Sequence, residues 1–172
     1  MTLTTVADLI LGIAVIVLLC VRQLRWTAVR PTRMWRVPLI LGAIGLFSLL
    51  GSSTRALSGD DIALLLVEAV IALGTGALMG RITVFRPIGA VPPTLRAGEP
   101  APTLECRTGW AGVALWAVLI AVRIGVALVG HRLGAVAVES TGVVLLVIAL
   151  NRVARTAVVL ARIAGVPAIA RR

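Results

Sequence analysis

The chain has 172 residues, 59% of them hydrophobic, with a mean hydropathy of +1.06, more apolar surface than one soluble core of that length can hide. Its 17 basic residues are all arginines, and against seven carboxylates they give a formal charge of +10. They are spread along helix boundaries and not gathered in one polar module, which excludes a nucleic-acid-binding domain and makes membrane lipids, anionic headgroups included, the expected partners.

A bilayer core about 30 Å thick is crossed by about 20 helical residues, and shorter apolar segments cross with snorkelling flanks or local thinning. Apolar stretches at 5–21, 37–53, 61–79, 110–129 and 133–151 therefore predict an all-α integral membrane protein. Five transmembrane helices form one bundle, and 1–172 is a single membrane domain. No basic residue precedes the first stretch, whereas Arg22, Arg25 and Arg30 follow it, so it reads as an uncleaved anchor and not as a secretion signal. The second stretch is the shortest, extended by the small residues Ser48, Gly51, Ser52 and Ser53.

Arginine placement orients the bundle, because cytoplasmic flanks retain positive charge. The first connection carries Arg22, Arg25, Arg30, Arg33 and Arg36, the third Arg81, Arg86, Arg96 and Arg107, and the segment after the fifth helix Arg152, Arg155, Arg162, Arg171 and Arg172. The second and fourth connections carry Arg55 and Arg132 alone. This alternation predicts an N-terminus outside, a cytoplasmic C-terminus and a multi-pass protein of a bacterial plasma membrane. Trp26, Trp35 and Trp110 fall on the same cytoplasmic side, as an interfacial aromatic belt does.

The third connection, 81–109, reads as a Pro-rich cytoplasmic loop in which Pro87, Pro92, Pro93, Pro100 and Pro102 exclude a long helix. Residues 83–86 and 103–106 have the β-compatible composition of a short hairpin. Beyond the fifth helix, 152–172 reads as an amphipathic cytoplasmic tail. Arg152, Arg155 and Arg162 share a stripe about 80° wide at 100° per residue, expected to face lipid headgroups until Pro167 stops the helix.

Polar residues inside the apolar stretches form the candidate site. Asp8, Ser48, Glu68, Arg123 and Glu139 each lie twelve or thirteen residues from the cytoplasmic boundary of their helix, about 18–20 Å at 1.5 Å per residue. Intramembrane ionisable groups usually face a protein interior or a water-filled cavity, where they find partners. In one reading Arg123 pairs with Glu68 or Glu139 and leaves the other carboxylate to hold a proton or a cationic ligand. In the other, an ion pair pins helices together near the outer interface, the preferred reading because carboxylates near helix starts also gain from the helix dipole.

Ala72, Gly76 and Gly80 form a stripe of small residues that predicts close packing inside the bundle. Cys20 and Cys106 both fall on the reducing side, against a structural disulfide. His131 is the single histidine and cannot build a metal site alone. No nucleophile–base pair or metal-ligand cluster emerges, so no enzyme, cofactor or metal is expected.

Four segments are similar to the CcdC-like multi-pass membrane proteins of bacteria, particularly the uncharacterised actinobacterial type. They are Val21-Arg22-Gln23, Arg33-Met34-Trp35-Arg36-Val37-Pro38, Gly74-Thr75-Gly76 before Arg81-Ile82-Thr83, and Val122-Arg123-Ile124-Gly125. The resemblance spans nearly the whole chain and implies a small integral membrane protein, although the Pro-rich third connection is longer than it implies. A role in cytochrome c maturation is not carried over, because the chain lacks the thiol pair that direct disulfide transfer requires. The expected function is that of an accessory or assembly factor, working with a membrane-protein partner or a second copy of the chain. The alternative is a small transporter or channel using the intramembrane Glu/Arg layer.

Overall fold

The computed structural model describes residues 21, 23–52, 58–88, 102, 104–134 and 140–165. In chain order these hold strand β1 (Thr27–Ala28), the short helix α1 (Pro31–Met34), helix α2 (Arg36–Ser52), helix α3 (Gly59–Ile82), strands β2 (Val84–Pro87) and β3 (Leu104–Arg107), and helices α4 (Gly109–Leu133) and α5 (Thr141–Ala164). The helix expected over 5–21 falls outside the described residues, apart from Val21.

Helices α3, α4 and α5 contain 24, 25 and 24 residues, about 36 Å each at 1.5 Å per residue, enough to cross the hydrocarbon core. All three are apolar enough to do so, and only 22%, 17% and 33% of their most apolar windows are buried inside the protein. Helix α2 is shorter, at 17 residues. Outward-facing Leu39, Phe47, Leu50, Leu66, Val70 and Leu128 are 62–75% exposed. Water does not tolerate a contiguous apolar coat of this kind, and lipid covers it without cost.

The helix ends have local causes. Ser58 and Asp61 form a capping box at the start of α3: Asp61 N–H donates to Ser58 Oγ at 3.1 Å, and Ser58 N–H donates to Asp61 Oδ2 at 3.0 Å. At the start of α5, Val143 N–H donates to Ser140 Oγ at 3.4 Å. Helix α4 ends where Gly134 turns left-handed, with φ 71°, a conformation costly for any residue with a Cβ. These caps move the expected boundaries. Helix α4 runs to Leu133 and not to 129, and α5 begins at Thr141, eight residues later than the expected 133. Residues 134–138 between them are as apolar as a span, so hydropathy alone does not show the break.

Helix α5 is the hub of the bundle, packing against both α2 and α3, while α4 packs on α3. At the crossing of α2 and α5 two glycines meet: a Cβ on Gly45 would stand 2.8 Å from the carbonyl oxygen of Gly142, and the reverse holds at 2.8 Å. On α3, Ala72, Gly76 and Gly80 are buried against α5, as their spacing predicts. Trp116 and Leu119 of α4, Met79 of α3 and Val143 and Val147 of α5 complete the core.

The expectation of an all-α protein needs one correction. Strands β2 and β3 pair antiparallel, Val84 opposite Arg107 and Pro87 opposite Leu104, so the expected hairpin exists with each strand one residue further along. Strand β1 adds to the other edge of β3, Thr27 opposite Cys106 and Ala28 opposite Glu105, giving the order β1-β3-β2. Pro87 closes an edge strand, where a missing N–H is tolerated.

This sheet lies where α2 and α4 begin and α3 ends, and the second half of α5 reaches it as well. Contacts fix the helix directions. Glu68 meets Arg123 and Thr83 meets Thr108, so α3 and α4 are antiparallel. Gly76 meets Asn151 and Gly80 meets Val158, so α3 and α5 run parallel.

Candidate functional site

The expected polar layer is partly assembled. Arg123 Nη1 donates to Glu68 Oε1 at 2.6 Å, joining the middles of α4 and α3. The Glu68 side chain is 2% exposed and that of Arg123 18%, so the contact is a desolvated, charge-assisted hydrogen bond. Glu68 Oε2 is buried with no hydrogen-bond partner among the described residues. Ser48 lies on a different helix pair, where its Cβ would be 3.2 Å from a Cβ placed on Gly142. Asp8 and Glu139 lie outside the described residues.

A second polar cluster inside the bundle was not anticipated. Asn151, expected to mark the end of the fifth helix, sits in the middle of α5 and is fully buried. Its Nδ2 donates to Ala72 O at 3.2 Å and to Thr75 Oγ1 at 3.0 Å, while Thr75 Oγ1 donates back to Ile71 O at 2.7 Å. Asn151 Oδ1 and Trp116 Nε1 are further buried polar atoms with no partner among the described residues. In the sequence the asparagine is the first polar residue after an apolar run. The signal that places it inside is the return of apolar residues at Val153, Val158, Val159 and Leu160.

The arginines of the α5 stripe make contacts within the protein, Arg152 and Arg155 half-buried and Arg162 exposed. Arg155 Nη2 donates to Thr108 Oγ1 at 2.6 Å, and its Nη1 donates to Gln23 Oε1 at 3.4 Å. Arg162 Nη1 lies within hydrogen-bond distance of the carbonyl oxygens of Gly80 (2.9 Å), Arg81 (2.6 Å) and Thr83 (2.7 Å). It thereby caps the C-terminal carbonyls of α3, and its guanidinium stands 4.9 Å over the Phe85 ring. The Arg152 guanidinium is 5.9 Å from the Trp116 ring. Hydropathy alone does not reveal these contacts within the protein.

On the sheet, Arg86 pairs with Glu105 at 2.8 Å, and Arg86 and Arg107 stack on Trp26 at 4.1 and 4.9 Å. Cys106 is a free, buried thiol on the central strand. Burial pushes its pKa up, the Arg155 charge pulls it down and Glu105 pushes it up, with a net rise. Such a thiol is a poor nucleophile at neutral pH.

Beside this sheet the first connection, β3 and α5 line a half-open pocket of about 560 Å³. Among its described lining residues are six arginines and no carboxylate. Among the described residues no three His, Cys, Asp or Glu side chains are grouped as a metal site would need. No family model, curated protein or solved structure matches the chain.

Proposed function

We propose that the chain is a five-crossing bacterial plasma-membrane protein of the CcdC-like type that acts as an accessory or assembly factor. Its N-terminal end is outside and its C-terminal end cytoplasmic. The observation that carries this reading is the closed pair of Glu68 and Arg123. The two charges answer each other across α3 and α4, as a lock between helices does, and the pair leaves the arginine-rich, sheet-bearing end as the working surface. That end carries most of the arginines, so it faces the cytoplasm under the positive-inside rule, where a membrane-protein partner or a second copy can meet it.

The test joins topology to flux. Reporters fused after Arg172 and before Met1 should read cytoplasmic and external respectively, and liposomes holding the purified chain should pass protons and monovalent cations no faster than empty liposomes. Both ends on one side would remove the five-crossing topology. A small transporter or channel is the second reading, favoured by the buried Glu68 Oε2, which has no hydrogen-bond partner among the described residues. A cation flux that Glu68→Gln abolishes would establish it in place of the first.

A further inference from the structure

The arginine-lined pocket is a stronger feature than anything inside the bundle. Arg25, Arg30 and Arg33 come to it from the first connection, Arg107 from β3, and Arg152 and Arg155 from α5. Three segments far apart in sequence thus place six arginine residues around one space of about 560 Å³. Like charges brought together at the edge of a low-dielectric membrane repel one another, and an anion among them reverses the sign of that interaction. Several of these arginines already make contacts within the protein. Arg155 is held by Thr108 and Gln23, Arg107 by the Trp26 ring and Arg152 by the Trp116 ring. Such contacts orient the guanidinium planes. A planar fork held in place is suited to the oxygens of a phosphate.

The other wall of the pocket is apolar. Val29 and Met34 precede α2, and Val37 and Pro38 form its first turn. Val37, Leu39 and Ile40 there are 52%, 63% and 58% exposed, on the surface that lipid covers. An occupant therefore meets guanidinium groups on one side and a slot open toward acyl chains on the other. Inorganic phosphate uses only the first; an anionic phospholipid uses both.

We propose that this pocket binds a phosphate-bearing anion, and that its occupant is the headgroup of an anionic phospholipid seated against the start of α2. The site is independent of whether the protein is an assembly factor or a transporter.

The test uses the full-length chain in a neutral detergent, titrated with dioctanoyl phosphatidylglycerol, dioctanoyl phosphatidylcholine or inorganic phosphate while tryptophan fluorescence and melting temperature are recorded. Phosphatidylglycerol should bind saturably. The variant R25Q/R33Q should weaken that binding by about tenfold or more, as the loss of charge-assisted hydrogen bonds implies. R36Q/R81Q, which removes the same charge from residues outside the pocket lining, should stay within about twofold, as screened surface charges do. If the double variant fails to fold, R25Q alone serves, because Arg25 is exposed. Absence of saturable binding, or equal weakening in both double variants, would overturn the site. Inorganic phosphate binding as tightly as phosphatidylglycerol would overturn the lipid assignment and leave a soluble phosphate as the ligand. Phosphatidylcholine binding as tightly as phosphatidylglycerol would overturn the requirement for an anion.

Discussion

Gly76 of α3 lies directly against the backbone of Asn151 of α5, so close that a Cβ at position 76 would collide with the Asn151 carbonyl oxygen and stand 3.0 Å from its Cα. The approach lets the buried Asn151 amide reach Ala72 O and Thr75 Oγ1. Gly76→Ala must separate the helices and should cost about 1–3 kcal/mol as overpacking, even though alanine is the better helix former. Gly74, two residues away on the same helix, has none of the described residues within 4 Å of an added Cβ. Gly74→Ala should therefore be neutral or stabilising by up to about 1 kcal/mol. Melting temperatures in detergent separate the two, and equal effects would mean that this crossing is not tight.

Arg162 holds the end of α3 through the carbonyls of Gly80, Arg81 and Thr83. Arg162→Gln should cost about 0.5–1.5 kcal/mol, the net range of a hydrogen bond, because water screens the exposed guanidinium, and should speed proteolysis at the junction of α3 and β2. If the arginine served a lipid surface instead, the variant would change cleavage only in the segment after Ala164, and the junction would stay protected.

The Cys106 thiol titrates above the ordinary thiol range, because burial outweighs the pull of Arg155. Its thiolate is scarce at neutral pH, so alkylation by iodoacetamide in the folded protein should be slow and should rise with pH later than for a free cysteine. Glu105→Gln removes a charge that raises the pKa and should move the profile to lower pH. Arg155→Gln removes one that lowers it and should move the profile up. Profiles that coincide would show that neither charge acts on the sulfur.

Sequence patterning located α2, α3 and α4 to within a few residues, because long apolar runs bounded by arginines leave little choice of register. It also found the β2–β3 hairpin, where prolines forbid helix and leave β-compatible residues between them. The break before α5 is hidden, since residues 134–138 are as apolar as a span and the left-handed turn at Gly134 and the Ser140 cap mark the boundary. The two-residue strand β1 carries no period of its own and exists only because β3 offers it an edge. The candidate pair Glu68 and Arg123 was legible because charges in apolar helices must find partners. The pocket was not, since its arginines come from three segments and read separately as flanks. The interior role of Asn151 was missed because one amide among apolar residues looks like an end until a neighbouring helix is placed against it.

Glu68 and Arg123 lock α3 to α4, and a double-mutant cycle on thermal stability in detergent measures that lock. Arg123→Leu leaves a carboxylate buried without its counter-charge and should cost about 3–5 kcal/mol. Adding Glu68→Gln should recover much of the loss, with a coupling of at least about 1 kcal/mol. Effects that add to within about 0.5 kcal/mol would contradict the lock, because two residues that stabilise each other cannot behave as independent sites.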